Sequence, residues 1–439
     1  MKRETIYDVI VLGAGPAGLA AAVAATDSGS SVLVVEREER PGGILKQCIH
    51  DGFGLVRYKE KLTGPEYARR DIAAAESRGL YLLAETFVSR VEKGQDGFAL
   101  TCVNRDGLHD LRCRSLVLAT GCRERTDRQV FIHGDRPAGV YTAGLAQAMV
   151  NLHGLLPGRT AAILGSGDIG LIMARRLTLE GVAVAGVFEV KAEVSGLTRN
   201  VQQCVRDFGI PLGLSTTVSR VFGRQRVEAV ELSRVDERLR PLPGSASLVD
   251  CDCLILSVGL IPENEIAVSL GVPLDPATRG PQVDQNMHSL IDGVFACGNA
   301  VHVNDLVDYV SESAETAGRA AAAWARGLAV GQPTPRRLQP VKTQGPLLYA
   351  VPQFVDTASP VDTICYFRSN RTLASGARLA VGPAAKFAAT GPATTAENFV
   401  ERKFEVLRPP EMERFVLPAA RSAGLTGALQ LALKPEGEA

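Results

Sequence analysis

Three stretches of the chain hold residues whose types and spacing could do chemistry. Gly13, Gly15 and Gly18 stand at G-x-G-x-x-G spacing with Pro16 and Ala17 among them, and Gly165, Gly167 and Gly170 repeat the pattern around Asp168 and Ile169. In such a pattern the first glycine permits a tight turn, the second lets backbone approach a pyrophosphate, and the third lets a helix close on its strand. The helix that starts there offers free N–H groups and the positive end of its dipole to phosphate oxygens. Glu36 and Glu189 each follow their glycines by about twenty residues, the distance at which an acid accepts hydrogen bonds from an adenosine ribose. One such unit could be a chance glycine-rich turn; two in one chain argue for two nucleotide ligands. After Glu189 the next basic residue is Lys191, with no arginine directly after the strand. A carboxylate there accepts from a free 2′-hydroxyl and repels a 2′-phosphate, so NAD(H) is favoured over NADP(H).

The third stretch is residues 37–55, REERPGGILKQCIHDGFGL. Arg37 adjoins the first acid, and Gly42 and Gly43, after Pro41, mark a loop where backbone can pass close to a ligand. Cys48 is the loop's single thiol. Thiol–disulfide exchange needs an attacked and a resolving cysteine, so it is disfavoured, while a one-cysteine sulfenate mechanism stays open. His50 and Asp51 could move a proton, and Lys46 could stabilise negative charge on a bound group; the bland alternative for each is a structural or surface role. Cys122 and Arg123 read as packing or ligand contacts, and Asp305 and Asp308 as solvated residues at a helix start. Cys251 and Cys253 alternate on a strand and so share a face, with no further ligands nearby; no metal is expected.

Around these residues lie the elements that must position them. Residues 9–12 and 32–35 are apolar runs of the length of buried parallel strands, with an Ala-rich helix between. Residues 160–189 repeat strand, glycines, helix, strand and acid. Residues 63–79 read as a helix capped by Thr63, with Pro65 in its first turn. Residues 80–100 and 110–118 read as strands of a smaller sheet, and 115–121 (SLVLATG) as an apolar run ending on Ala119, Thr120 and Gly121. Residues 249–264 read as a buried strand with a turn at Gly259 that returns the chain from the repeat. Gly298 and Asn299 lie in 293–310, ahead of a helix over 311–329. From about residue 338, after GQPTPRRLQP, short strands separated by Pro, Gly and Ser read as a small all-β appendage.

Composition narrows the class. With 439 residues the chain has room for two or three domains. Its 48 basic and 48 acidic residues cancel, which leaves no broad basic field for nucleic acid. Nine cysteines without a C-x-x-C pair fit reduced thiols and a cytoplasmic setting. Asp8 interrupts the first apolar run and the glycines follow at once, so the N-terminus reads as a strand and not a signal peptide. No apolar run reaches about eighteen residues, so no membrane span is expected.

The order GAGPAG, ATG, GSGDIG, SVGLIPEN, GVFACGN resembles the two-dinucleotide-binding-domain flavoproteins related to glutathione and thioredoxin reductases, over residues 6–330. The resemblance implies an α/β fold: two Rossmann-like three-layer dinucleotide-binding domains, the second inserted in the first, plus the C-terminal all-β domain. It implies FAD on the first unit and NAD(P)H on the second. The domains would then be 1–125 and 254–337 for FAD, 126–253 for NAD(H), and 338–439 as the appendage, a candidate for partner docking. Where such proteins usually carry Gly-Asp beside the ribityl chain and pyrophosphate, this chain has Gly298-Asn299. An amide can still bond a ribityl hydroxyl but brings no negative charge.

PGGILKQCIHDGFGL, LTGPEYARR, GLTRNVQQC and LRPPEMERFVLP further resemble FAD subunits of heteromeric dehydrogenases. These are the glycerol-3-phosphate type and the α-subunits of dye-linked proline, opine and cyanide-forming amine dehydrogenases. The likeness implies other dehydrogenase subunits, or a homo-oligomer, as partners. The α-subunit tails often carry a cysteine-rich [2Fe–2S] segment, whereas Cys365 is the one cysteine of this tail, closer to the glycerol-3-phosphate type without a cluster. Three readings follow. The first is an FAD-dependent dehydrogenase subunit exchanging hydride with NAD(H), with Cys48, His50 and Lys46 as candidate catalytic residues beside the flavin. The second is a stand-alone NADH oxidase or peroxidase using Cys48. The third is a flavin-binding scaffold with a silent NAD site.

Overall fold

In the computed structural model, which describes residues 6–332, 335–359, 361–385, 387 and 399–436, each glycine pattern joins a buried parallel strand to a helix. The chain begins with strand β1 (Ile6–Leu12), helix α1 (Pro16–Asp27), strand β2 (Val32–Val35), helix α2 (Gly64–Glu76) and strand β3 (Gly107–Leu118). It continues with β4 (Thr160–Leu164), α3 (Asp168–Leu179), β5 (Ala183–Phe188) and β6 (Cys253–Leu256), and then with β7 (Val294–Ala296) and α4 (Val307–Ala329). Two compact units result: residues up to Cys122 together with those from Pro262 onward, and Arg123–Ile261.

In the first unit β1 lies between β2 and β3, all parallel, with Tyr81–Leu83 beyond β2 and β7 alongside the end of β3. The long β3 has two roles. Its last residues extend the parallel sheet, while residues 107–113 pair antiparallel with Phe98–Asn104, which pairs with Phe87–Lys93. The strands expected as a separate smaller sheet therefore belong to one seven-stranded sheet. Helices α1 and α4 meet through small residues. Gly318 leaves so little room that a Cβ there would stand 2.1 Å from the Ala21 carbonyl.

The second unit has a five-stranded parallel sheet in the order Val140–Thr142, β6, β4, β5, Leu212–Gly213, and a four-stranded sheet of its own. Because β6 pairs with β4, the strand expected to return the chain still belongs to the inserted unit. The crossings fall at 122/123 and 261/262, three residues before and eight residues after the expected limits of 126 and 253.

The tail is built of strands, as read, but its first strand, Leu338–Gln344, begins inside the stretch read as a linker. It stands in a five-stranded sheet, and Leu347–Val351, Thr363–Ser369 and Glu413–Leu417 form a three-stranded one. Phe367, Phe415, Leu379, Val381 and Leu431 share a core drawn from both sheets. This core is the tail's own, yet the tail groups with the first unit and not as a third body. Among the described residues, no helix is long and apolar enough to cross a membrane.

Thr63 caps α2 as its sequence predicts. Its hydroxyl accepts from the Glu66 N–H at 3.4 Å, and the Glu66 carboxylate accepts from the Thr63 N–H at 2.8 Å. Thr63→Ala should lower the unfolding free energy by about 1 kcal/mol, read from the urea midpoint at unchanged slope.

Candidate functional site

At the first glycine turn Gly13 has φ +103°, and a Cβ there would stand 2.5 Å from the Ala119 carbonyl. A Cβ on Gly18 would stand 1.7 Å from the Gly13 carbonyl. Both glycines are thus required by the protein itself. Gly15 is different: its φ of −75° suits any residue, and the nearest atom to a Cβ would be 3.8 Å away. What its missing side chain keeps clear is the start of α1. No side chain caps that helix, and Pro16 opens it, so the N–H groups of Ala17 and Gly18 face the same space. This cradle, which a Cβ would fill, fits a pyrophosphate.

Glu36, at 8% exposure, directly follows β2 and turns its carboxylate onto this turn. One oxygen accepts from the Ala14 N–H at 2.6 Å and the other from the Glu38 N–H at 2.9 Å. The loop that follows comes back over the turn. The Gly42 N–H donates to the Ala14 carbonyl at 2.8 Å, and a Cβ on Gly43 would lie 2.9 Å from the Gly15 Cα. Arg37 points outward and is exposed.

The second unit repeats this geometry. Gly165 has φ +98° and is pressed against the Ser257 carbonyl, and Gly170 against the Gly165 carbonyl, while Gly167 stands clear. Glu189, at 4% exposure, accepts from the Ser166 N–H at 3.0 Å, the Ser166 hydroxyl at 2.5 Å and the Lys191 N–H at 3.1 Å. Asp168 turns away from the helix start and accepts from the Leu197 N–H and the Asn200 amide. Ile169 packs on the second unit's core. The Gly259 carbonyl accepts from the Arg125 N–H at 3.1 Å.

Back in the first unit, Thr120 donates to the Glu263 carbonyl at 2.6 Å and the Gly121 carbonyl accepts from the Glu263 N–H, so ATG meets the chain just returned from the second unit. The Gly298 N–H donates to the Ser313 hydroxyl at 3.1 Å. The Asn299 amide oxygen accepts from the Asn304 N–H at 3.0 Å and its side-chain NH2 at 3.2 Å, and the Asn299 NH2 lies 3.6 Å from the Cys122 Sγ.

The loop residues proposed for catalysis are held differently. Lys46 closes onto the Glu38 carboxylate at 2.5 Å and the Arg40 carbonyl at 2.7 Å, which engages its ammonium in the loop. Cys48 ends a short 3-10 turn, its Sγ 3.3 Å from the Ile44 carbonyl, and burial pushes its thiol up to about 12. At neutral pH that sulfur is a thiol, not a nucleophilic thiolate. The His50 ring stands 5.1 Å from the Phe53 ring, and Asp51 pairs with Lys61.

Two readings need correction. Asp308 is 3% exposed rather than solvated, because it accepts backbone N–H groups of Gly54, Val56 and Arg57 and so ties the loop to the start of α4. Asp305 is exposed, as read, and its carboxylate is bound by Arg368 and the Met412 N–H. Cys251 precedes its strand and packs in a different cluster from Cys253, so the two do not share a face. Ser166, Ser257 and Asn304 went unread. Of these Ser166, inside the second glycine pattern, had a positional signal. Among the described residues no group of three or more His, Cys, Asp or Glu could hold a metal ion.

Two such units in one α/β chain define an oxidoreductase of the kind that works with two dinucleotides. More narrowly, the chain belongs to the pyridine nucleotide-disulphide oxidoreductase family, which it matches over residues 7–323, and with it to the FAD-dependent oxidoreductases. It is 28% identical to the HcnB component of hydrogen cyanide synthase from Pseudomonas aeruginosa over 60% of this chain and 59% of that protein. It is 27% identical to one of the subunits of opine oxidase from Rhizobium meliloti over 67% of each. The chain thus spans about three fifths to two thirds of these relatives. The thioredoxin reductase of T. acidophilum shares the fold, with a TM-score of 0.58 and 21% identity over 73% of this chain and 99% of that one.

The glycines separate folding from the cradle. Gly18→Ala and Gly170→Ala should fail to fold or lose more than about 3 kcal/mol. Gly15→Ala and Gly167→Ala should leave the thermal midpoint of the ligand-free chain within about 2 °C.

Proposed function

We propose that this chain is the FAD-carrying subunit of a multi-subunit dehydrogenase, exchanging hydride between NAD(H) and the flavin during oxidation of a small amine, opine, amino-acid or glycerol-3-phosphate type substrate. The observation that carries the reading is the doubled cradle: an uncapped helix start, a glycine that nothing in the protein demands, and a buried acid bonded to the turn between them. Relatives named as subunits of hydrogen cyanide synthase and opine oxidase support the multi-subunit part.

Bound FAD supplies a ring that accepts or gives a hydride, and this hard chemistry needs no covalent help from the protein. The residues here bind and orient. In the first unit Ala17 and Gly18 offer N–H groups to the pyrophosphate, and Glu36 accepts from the adenosine ribose. Gly42 and Gly43 close over the same turn, with Arg37 assigned beside them, and Ala119, Thr120, Gly121, Gly298 and Asn299 are assigned to the flavin side. In the second unit Ile169 and Gly170 take the corresponding N–H role. Glu189, buried and fixed by three donors, favours NAD(H), because a 2′-phosphate would bring charge against a carboxylate that cannot turn away.

The neutral Cys48 weighs against a peroxidase that turns over through a sulfenate. Lys46 serves the loop through its ion pair, and His50 is left as the candidate for proton transfer. Cys48→Ser should keep NADH turnover with an artificial acceptor within about twofold of the parent, against a loss of about 10² or more for an essential thiol.

The test of the whole reading is an anaerobic titration of the yellow protein with NADH and then NADPH, followed by flavin absorbance. Bleaching by NADH, slower by NADPH and lost in Gly167→Asp while FAD is retained, is the expected result. Bleaching that survives Gly167→Asp would misplace the second site. No bleaching with either nucleotide in the parent would favour the scaffold reading.

A further inference from the structure

The appendage grips the first unit on both sides of β7 and Asn299. Ahead of that motif, the Val283 N–H donates to the Gln353 side-chain oxygen at 3.0 Å, and Gln285 exchanges two hydrogen bonds with the Asp356 backbone at 2.7 and 2.8 Å. After it, the His302 ring is wholly buried between Tyr349 and Tyr366 of the tail, at 5.8 and 5.5 Å between centroids. Further along, Glu312 on α4 accepts from the Tyr366 hydroxyl and, bidentately, from the Nε and one terminal nitrogen of Arg414.

One residue ties these contacts together. Arg368, on the tail strand Thr363–Ser369, has a side chain 11% exposed. Its Nε donates to the Tyr349 hydroxyl at 2.8 Å, and one terminal nitrogen donates to the Pro409 and Pro410 carbonyls at 3.3 and 2.5 Å. The other donates to the Val303 carbonyl at 3.1 Å and to the Asp305 carboxylate. The planar fork is thus divided, with three acceptors on the tail and two on the loop after Asn299. A lysine has neither the fork nor the reach to hold five acceptors.

Val303 and Asp305 flank Asn304, whose backbone N–H and side-chain NH2 both donate to the Asn299 amide oxygen, the NH2 donating also to the His302 carbonyl at 2.9 Å. That fixes which way the Asn299 amide faces: its oxygen is taken, and its NH2, which donates one hydrogen toward the Cys122 Sγ at 3.6 Å, keeps a second to give. We propose that Arg368 is a positioning residue for the flavin site, acting through Asn304 to hold the Asn299 amide with its donor toward the ligand. The all-β appendage is then part of the cofactor site's frame, whatever else it binds. This inference rests on the reading that the first unit carries FAD.

Arg368→Lys should weaken FAD binding about tenfold, the size of one lost charge-assisted hydrogen bond, and alter the visible circular dichroism of the bound flavin. In the same variant without FAD, the amides of Asn304 and Asp305 should exchange hydrogen faster. Arg414→Lys, which cuts the tail contact at Glu312 without touching that loop, should change FAD affinity by less than about twofold and leave both amides as in the parent. Asp305→Asn reaches the same contact from the loop side and should act in the same direction as Arg368→Lys, which keeps the test open if the latter misfolds. Equal effects of Arg368→Lys and Arg414→Lys, or unchanged exchange at 304 and 305 in a parent that binds FAD, would overturn this inference alone. A parent that takes up no FAD at all would overturn it together with the function proposed above.

Discussion

The structure depends on a carboxylate bonded to a backbone turn, made twice. Glu36 holds the Ala14 N–H and Glu189 the Ser166 N–H, each across the gap between two parallel strands. The turn between the first two glycines must leave its strand at a sharp angle so that the helix after it starts with its N–H groups free. An acid buried at the end of the neighbouring strand secures that shape before any ligand arrives. Burying a carboxylate is costly unless hydrogen bonds replace its water. Here the backbone of the turn and of the following loop supplies them, so charge and fold are satisfied by the same atoms.

The rest of the first unit is arranged to keep that turn undisturbed. β3 runs beneath it, and the Ala119 carbonyl limits Gly13 so tightly that no side chain fits. Asp308 then draws the loop after Gly54 onto the start of α4, close in sequence to Asn299. Residues far apart in the chain are thereby gathered around one groove by backbone contacts more than by side-chain pairs. This accounts for the quiet chemistry of the site. Cys48 is a buried neutral thiol and Lys46 is committed to an ion pair, as suits a protein that leaves the reaction to its cofactor.

Much of this was legible in the sequence because local rules dictate it. Glycine spacing, the apolar runs, the Thr63 cap and the two acids all act within about thirty residues of themselves, and such patterns survive without tertiary information. What was not legible depends on distant partners. The two-faced pairing of β3 turned an expected separate sheet into part of the main one. Asp308 looked like a solvated residue at a helix start, since nothing nearby announces the three N–H groups of residues 54–57 that it receives. The inserted unit's return lies eight residues beyond the expected one because β6 is as apolar as any strand of either sheet, and only its pairing with β4 assigns it. Arg368 had no sequence signal at all, being one arginine among many in a β tail.

The alanine-lined meeting of α1 and α4 has a consequence for how the chain can drift over time. Gly318 faces the Ala21 carbonyl with no room for one more methyl group, and the buried alanines on both helices leave no slack to absorb it. Larger residues there would push α1 off its sheet and carry the first glycine turn with it. Among diverging descendants this helix seam should therefore stay as invariant as the glycines of the two turns, and its constancy would be easily mistaken for that of a binding surface.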